Sequence, residues 1–154
     1  MIEKALFGAG CFWGVEETFR KIDGVISTEV GYSGGNTLNP SYESVCQGDT
    51  NHAEVVLIEF DNDIITYDKL LYHFWKCHNP TTLNRQGPDI GTQYRSVVFY
   101  YNENQKKIAE GSKKNYSDSS GLKIVTEITA AKDYYKAEEY HQKYIIKTGL
   151  NCAI

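Results

Sequence analysis

Cys11 stands in the run Gly8-Ala9-Gly10-Cys11-Phe12-Trp13-Gly14, between a strand-like apolar stretch and an amphipathic helix. That setting predicts a thiol at a helix N-terminus. Backbone N–H groups and the helix dipole favour a thiolate there, and the thiolate is the nucleophilic form. The competing reading is a small buried cysteine at a tight turn, since such residues are often inert core. Gly8, Gly10 and Gly14 do not make a dinucleotide loop, because the third glycine is one residue late and bulky Phe12-Trp13 intervenes. They do allow the backbone to approach the thiol closely.

Phe12 and Trp13 are consecutive, so on a helix they cannot both point into the core. One of them can wall an apolar pocket beside the thiol. A sulfur–methyl group suits such a wall, since sulfur–aromatic contacts contribute roughly 0.3–1.5 kcal/mol. Ordinary core packing is the other reading of Trp13. His52 and Glu54 lie two apart on a predicted strand and so share a face. A carboxyl half-buried at the start of an apolar strand resists ionisation and can donate a proton near neutral pH. A surface carboxylate at a strand start is the alternative. The His-x-Glu pair also belongs to zinc deaminases, but those need a Pro-Cys-x-x-Cys partner that this chain lacks. Adjacent Cys77-His78 cannot chelate like a C-x-x-C pair. No metal or other cofactor is therefore expected.

The segment Asn84 to Arg95 is dense in hydrogen-bonding side chains, and with Tyr42 it offers hydroxyl donors for a polar substrate oxygen. Arg85 or Arg95 is placed to pair with Asp89; bonding within the loop is the bland account of these residues. Cys152 follows Gly149 on the C-terminal tail, where packing gives no reason for a cysteine. A thiol there that reaches Cys11 would capture a sulfenic acid as a disulfide; an incidental exposed thiol is the alternative.

These residues need a scaffold. Residues 3–8 read as a strand, 11–21 as a short helix closed by Gly24, and 25–33 as a strand stopped by Gly34-Gly35. Residues 36–47 read as a loop with a turn of helix after Pro40, and 52–60 as the strongest strand. Thr66 caps a helix to about Cys77, with Leu70, Leu71, Phe74 and Trp75 on one face. Residues 78–93 read as irregular, a length that usually signals function. A strand at 95–101, a helix at 103–117, a strand at 124–130 and a helix at 136–147 complete the chain. The alternation predicts an α/β (α+β) two-layer sandwich, with helices on a mixed sheet and a ferredoxin-like core.

The 154 residues are 41% hydrophobic with a formal net charge of −4. That suits one catalytic domain over 1–154, with 148–154 as a mobile tail. The scattered charge leaves no footprint for nucleic acid, and no apolar run approaches the roughly 20 residues that span a bilayer. Met1 is followed by Glu3 and Lys4 rather than by an apolar leader, so a cytoplasmic location is expected. There the four cysteines are not a structural disulfide framework. A small acidic chain without a heptad pattern is expected to be a monomer.

The run at 10–17, Gly-Cys-Phe-Trp-Gly-Val-Glu-Glu, resembles the signature of the A-type peptide methionine sulfoxide reductases. So do Gly31-Tyr32-Ser33-Gly34-Gly35, Asn39-Pro40-Ser41-Tyr42, the segments 45–54 and 86–96, and Ala137 to Tyr144. The resemblance runs in order along nearly the whole chain. It implies that Cys11 attacks the sulfoxide sulfur while Phe12 and Trp13 cage the methyl group. Glu54 would protonate the oxygen, Tyr42 and Tyr94 would donate hydrogen bonds to it, and Asp89 would organise the polar side. It implies reduction of the S epimer, in free or peptide methionine sulfoxide, through a sulfenic acid on Cys11. Cys152 would resolve that acid, with Cys46 and Cys77 as the other thiols available, and thioredoxin or another dithiol would be the reductant. Asn79 stands where relatives usually have Asp, and Asn51 where many have Gly. A thiol peroxidase would instead consume hydrogen peroxide as readily as the sulfoxide. A non-catalytic binding module would bind it equally well as Cys11→Ala.

Overall fold

The computed structural model describes residues 1–149. Its spine is β1 (Ile2–Ala9), α1 (Phe12–Arg20), β2 (Val25–Ser33), β3 (Ala53–Asp61), α3 (Tyr67–Lys76) and β6 (Ser96–Tyr100). A short α2 (Tyr42–Cys46) lies between β2 and β3. Two-residue strands β4 (Arg85–Gln86) and β5 (Asp89–Ile90) form a separate small hairpin. Then follow α4 (Glu103–Ser120), β7 (Glu127–Ala130), β8 (Tyr134–Lys136) and α5 (Tyr144–Thr148).

The six-stranded sheet has the order β7-β6-β1-β3-β2-β8. Its inner four strands pair antiparallel, β6 with β1, β1 with β3 and β3 with β2. Strands β1 and β2 are therefore parallel to one another across β3, and β3 and β6 across β1. These are two interlocked split β-α-β units, the ferredoxin-like core that the alternation predicts. One edge gains β7, parallel to β6, and the other gains β8, antiparallel to β2.

Period-two alternation divides the strands between two faces. Ala5, Phe7 and Ala9 of β1, Val56, Ile58 and Phe60 of β3 and Val98 of β6 meet Phe12, Val15 and Phe19 of α1 and Leu70, Leu71 and Phe74 of α3. Each fully buried Phe of this layer contributes roughly 1.5–3 kcal/mol. The opposite face carries a smaller cluster of Leu6, Ala53, Val55, Val97 and Phe99. Thr66 caps α3, its side chain accepting from the Lys69 N–H at 3.1 Å. Among the described residues no helix is long and apolar enough to cross a membrane.

Three expectations change. Helix α1 ends at a Lys21 cap, and Gly24 (φ 98°) instead turns the chain into β2. Residues 78–93 hold the small hairpin and a 3₁₀ turn at Thr92–Tyr94. The helix expected over 136–147 breaks into β8, a 3₁₀ turn at Glu139–His141 and one short helix. The open edge of β2 is the cause. It pairs with 134–136, and beyond them the Gln142 amide takes over both backbone groups of Val30, at 2.9 Å each. Of the tail expected to be loose, 150–154 lie outside the described residues.

Candidate active site

Strand β1 delivers the thiol. Gly10 (φ 97°) makes the turn, and a Cβ there would come within 2.8 Å of Gln86 Cγ. The bare backbone thus lets Gln86 of β4 lie against the thiol-bearing turn, where its Oε1 accepts from the Asn79 N–H at 2.9 Å. Cys11 is the N-cap of α1 and only 9% exposed. Of the pair behind it, Phe12 is buried and Trp13 half-buried, as consecutive helical positions require.

Glu54 projects from β3 on the α1 side of the sheet and is 1% exposed. Its Oε1 accepts the Phe12 N–H at 3.2 Å. A proton carried by this carboxyl therefore belongs on Oε2. Strand and helix together set the carboxyl one residue from the thiol. Tyr42 opens α2 and Tyr94 closes the 3₁₀ turn. Burial first, and then the charge of Glu54, pushes both phenols well above their ordinary range. Both remain hydrogen-bond donors through the physiological range. Tyr94 also feels the charges of Asp89 and Cys11. The structure thus brings Cys11, Glu54, Tyr42, Tyr94 and Asp89 into one electrostatic neighbourhood.

An aromatic wall stands beside them. Trp13 stacks on Tyr144 with centroids 3.8 Å apart and planes 11° off parallel. Its indole N–H donates to Nδ1 of buried His141 at 2.8 Å, which fixes the His141 proton on Nε2. Tyr42 packs against the same imidazole, with ring centroids 4.4 Å apart. Burial lowers the His141 pKa, keeping the acceptor available. Sequence alone assigns His141 and Tyr144 no individual role; they lie in the family-like segment Ala137 to Tyr144, with the spacing His-x-x-Tyr.

Several expectations are redistributed. His52 is spent on the loop after β2: Nδ1 accepts from the Gly35 N–H at 3.0 Å and Nε2 donates to the Thr37 carbonyl at 2.8 Å. Neither expected arginine pairs with Asp89. Arg95 binds Glu127 at 3.5 Å and the Asn51 and Thr92 carbonyls, while Arg85 donates to the Gly87 carbonyl. Cys77 donates to the Phe74 carbonyl at the C-cap of α3, and burial pushes its thiol up to about 12. Cys46 is an exposed residue of α2, and the partial burial of its thiol raises it. Cys152 lies outside the described residues. The two departures from the family pattern fit locally. Asn51 has φ 59°, a left-handed conformation that Gly and Asn both tolerate. Asn79 uses its side-chain oxygen as an acceptor from Thr81, which an Asp would do equally.

A thiol at a helix terminus, a carboxyl bonded to the same terminus and an aromatic wall define a thiol-based redox site on an α/β fold. A family model described as peptide methionine sulfoxide reductase matches residues 3–152. The chain is 57% identical to a peptide methionine sulfoxide reductase MsrA of Methanothermobacter thermautotrophicus over 94% of its own length and 87% of the relative's. It is 56% identical to an MsrA of Acinetobacter baumannii, over 95% and 84%. Among solved structures it is similar to reduced Mxr1 from Saccharomyces cerevisiae, with a TM-score of 0.94 and 38% identity over 99% of this chain and 88% of that one. It is similar also to methionine sulfoxide reductase A of Corynebacterium diphtheriae, with a TM-score of 0.92 and 38% identity over 99% and 77%. The chain belongs to the peptide methionine sulfoxide reductase family, in its A type, and is an oxidoreductase acting on methionine sulfoxide.

Proposed function

We propose that Cys11 is the nucleophile and Glu54 the acid in reduction of the S epimer of methionine sulfoxide. The Cys11 thiolate attacks sulfur as the Glu54 proton passes to the sulfoxide oxygen. The S–S bond so formed and the S–O bond then break as the hydroxyl passes from the substrate sulfur to Cys11 Sγ, so methionine leaves and Cys11 carries the oxygen as a sulfenic acid. Tyr42 and Tyr94 donate to that oxygen, Asp89 orders the polar side, and Phe12 with Trp13 receives the methyl group. Fixing methyl, oxygen and line of attack around one chiral centre is what selects an epimer. The observation that carries this reading is the Phe12 N–H to Glu54 Oε1 bond, which ties the acid to the thiol's own helix.

Cys152 then attacks the sulfenic acid, releasing water and forming a disulfide, which thioredoxin or another dithiol reduces. The yeast relative Mxr1 has been solved in complex with Trx2. Cys77 is a poor substitute, since its thiol is buried and hard to ionise. The enzyme works as a cytoplasmic monomer on free and protein-bound sulfoxide. The test is turnover of separated S and R epimers of a methionine sulfoxide peptide, with dithiothreitol or with thioredoxin and its reductase. S-only turnover is expected. Cys152→Ser should fail with thioredoxin and survive with dithiothreitol; turnover of neither epimer overturns the reading.

A further inference from the structure

Beneath the aromatic wall lies an ion pair, its carboxylate buried and its ammonium half-exposed, that the chemistry does not use. Glu16 is one turn beyond Trp13 on α1 and 1% exposed. Its Oε2 accepts from Thr28 Oγ1 at 2.8 Å and from Lys143 Nζ at 2.9 Å. Its Oε1 accepts from the Lys143 backbone N–H at 2.7 Å. Lys143 Nζ also donates to the Thr28 carbonyl at 2.6 Å.

Lys143 is the hinge of the wall. It has φ 56° and ψ 38°, a left-handed conformation that residues with a Cβ rarely adopt. It joins the 3₁₀ turn that carries His141 to the helix that begins with Tyr144. Both braces of Trp13 therefore hang on this one backbone turn. Glu16 binds its N–H as well as its ammonium, so it holds the path of the chain in addition to balancing a charge. Trp13 and Glu16 are held apart by α1, while His141 and Lys143 are held apart by the turn. The Trp13–His141 bond and the Glu16–Lys143 pair close these two spacers into a loop.

We propose that Glu16 and Lys143 are positioning residues that set the Trp13 wall, and through it the affinity for the substrate's methyl group. The proposal rests on reading Trp13 as that wall. Losing the pair lets the 141–144 turn relax, and the indole then loses its fixed place while the thiol and carboxyl keep theirs. The loss should appear in substrate binding rather than in the chemical step.

The test uses the full chain carrying Glu16→Gln, Lys143→Met or the milder Thr28→Val, with Lys143→Arg as the conservative variant. Expected for the first two is a KM for an S-sulfoxide peptide raised about tenfold with kcat within about twofold. Thr28→Val should raise it less, and Lys143→Arg should restore most of the loss. Trp13 emission should become more open to acrylamide quenching, against a constant background from buried Trp75. If variants still folded by circular dichroism keep the wild-type KM and quenching, the pair is only structural and the proposal falls. A fall in kcat at constant KM overturns it too. Trp13→Phe, assayed alongside, must raise KM as well. If it does not, the wall reading fails and takes the affinity consequence with it, whereas unchanged quenching in Glu16→Gln refutes the pair's hold on the indole.

Discussion

Cys11 and Cys77 sit at opposite poles of two similar helices. Cys11 is the N-cap of α1, where helix N–H groups favour an anion, and a buried carboxyl and two phenols lie around it. Cys77 is the C-cap of α3, where the negative end of the dipole and burial oppose a thiolate; its thiol donates to a helix carbonyl instead. On the proposed reading, one residue type becomes nucleophile or plug according to which end of a helix holds it. The position of a cysteine along an element says more about its chemistry than the residue's exposure, since Cys11 is the less exposed of the two.

The contrast can be tested at falling magnitude. Cys11→Ser should abolish turnover of the S-sulfoxide peptide, by at least about 10³-fold, while Cys77→Ser stays within about twofold. Comparable losses in both would end the distinction. Glu54→Gln should lower kcat about 10²-fold or more with dithiothreitol as reductant, the usual worth of a positioned acid. Iodoacetamide at pH 7.5, read by peptide mass mapping, should label Cys11 about 10²-fold faster than Cys77, because so little of the buried thiol ionises.

The neighbour of the inert thiol predicts a pH effect. His78 donates from Nδ1 to the Phe74 carbonyl at 2.7 Å and meets Ser96 Oγ through Nε2, and burial lowers its pKa from 6.5 to about 4. The unfolded chain takes up this proton near pH 6.5, the folded one only near 4. Acid therefore favours unfolding between those values, and the stability is fully present above pH 6.5. The loss should reach about 3 kcal/mol at pH 4, and His78→Gln should remove that slope in urea melts. Smallest of all, Cys77→Ala should cost about 1 kcal/mol, measured in the same melts, from its small cavity.

Much of this was legible in the chain. The glycine-flanked Cys11 after an apolar strand, the Thr66 cap and the alternation of β3 are local signals, and each element formed where its own residues asked. Glu54 was legible as a carboxyl entering an apolar strand. The region 134–148 was not. Its residues Lys136 to Lys147 carry a helix-compatible pattern, and only the open edge of β2 and the Glu16 carboxylate, both far away in sequence, turn it into strand, 3₁₀ turn and hinge. His141 and Tyr144 escaped for the same reason, since their partner Trp13 lies at the other end of the chain. Arg95 was misassigned because Glu127, its partner, comes from β7.

That distance has a consequence in time. The hydrogen bond from Trp13 to His141 joins residues 128 apart. Synthesis at about 5–20 residues per second puts an interval on the order of ten seconds between the two. The thiol-bearing turn is made well before its wall, and contacts of such long range also close late in refolding. For that interval Cys11 is a plain cysteine on an unfinished sheet, and on the proposed reading selectivity for the substrate begins only when Trp13 and His141 meet.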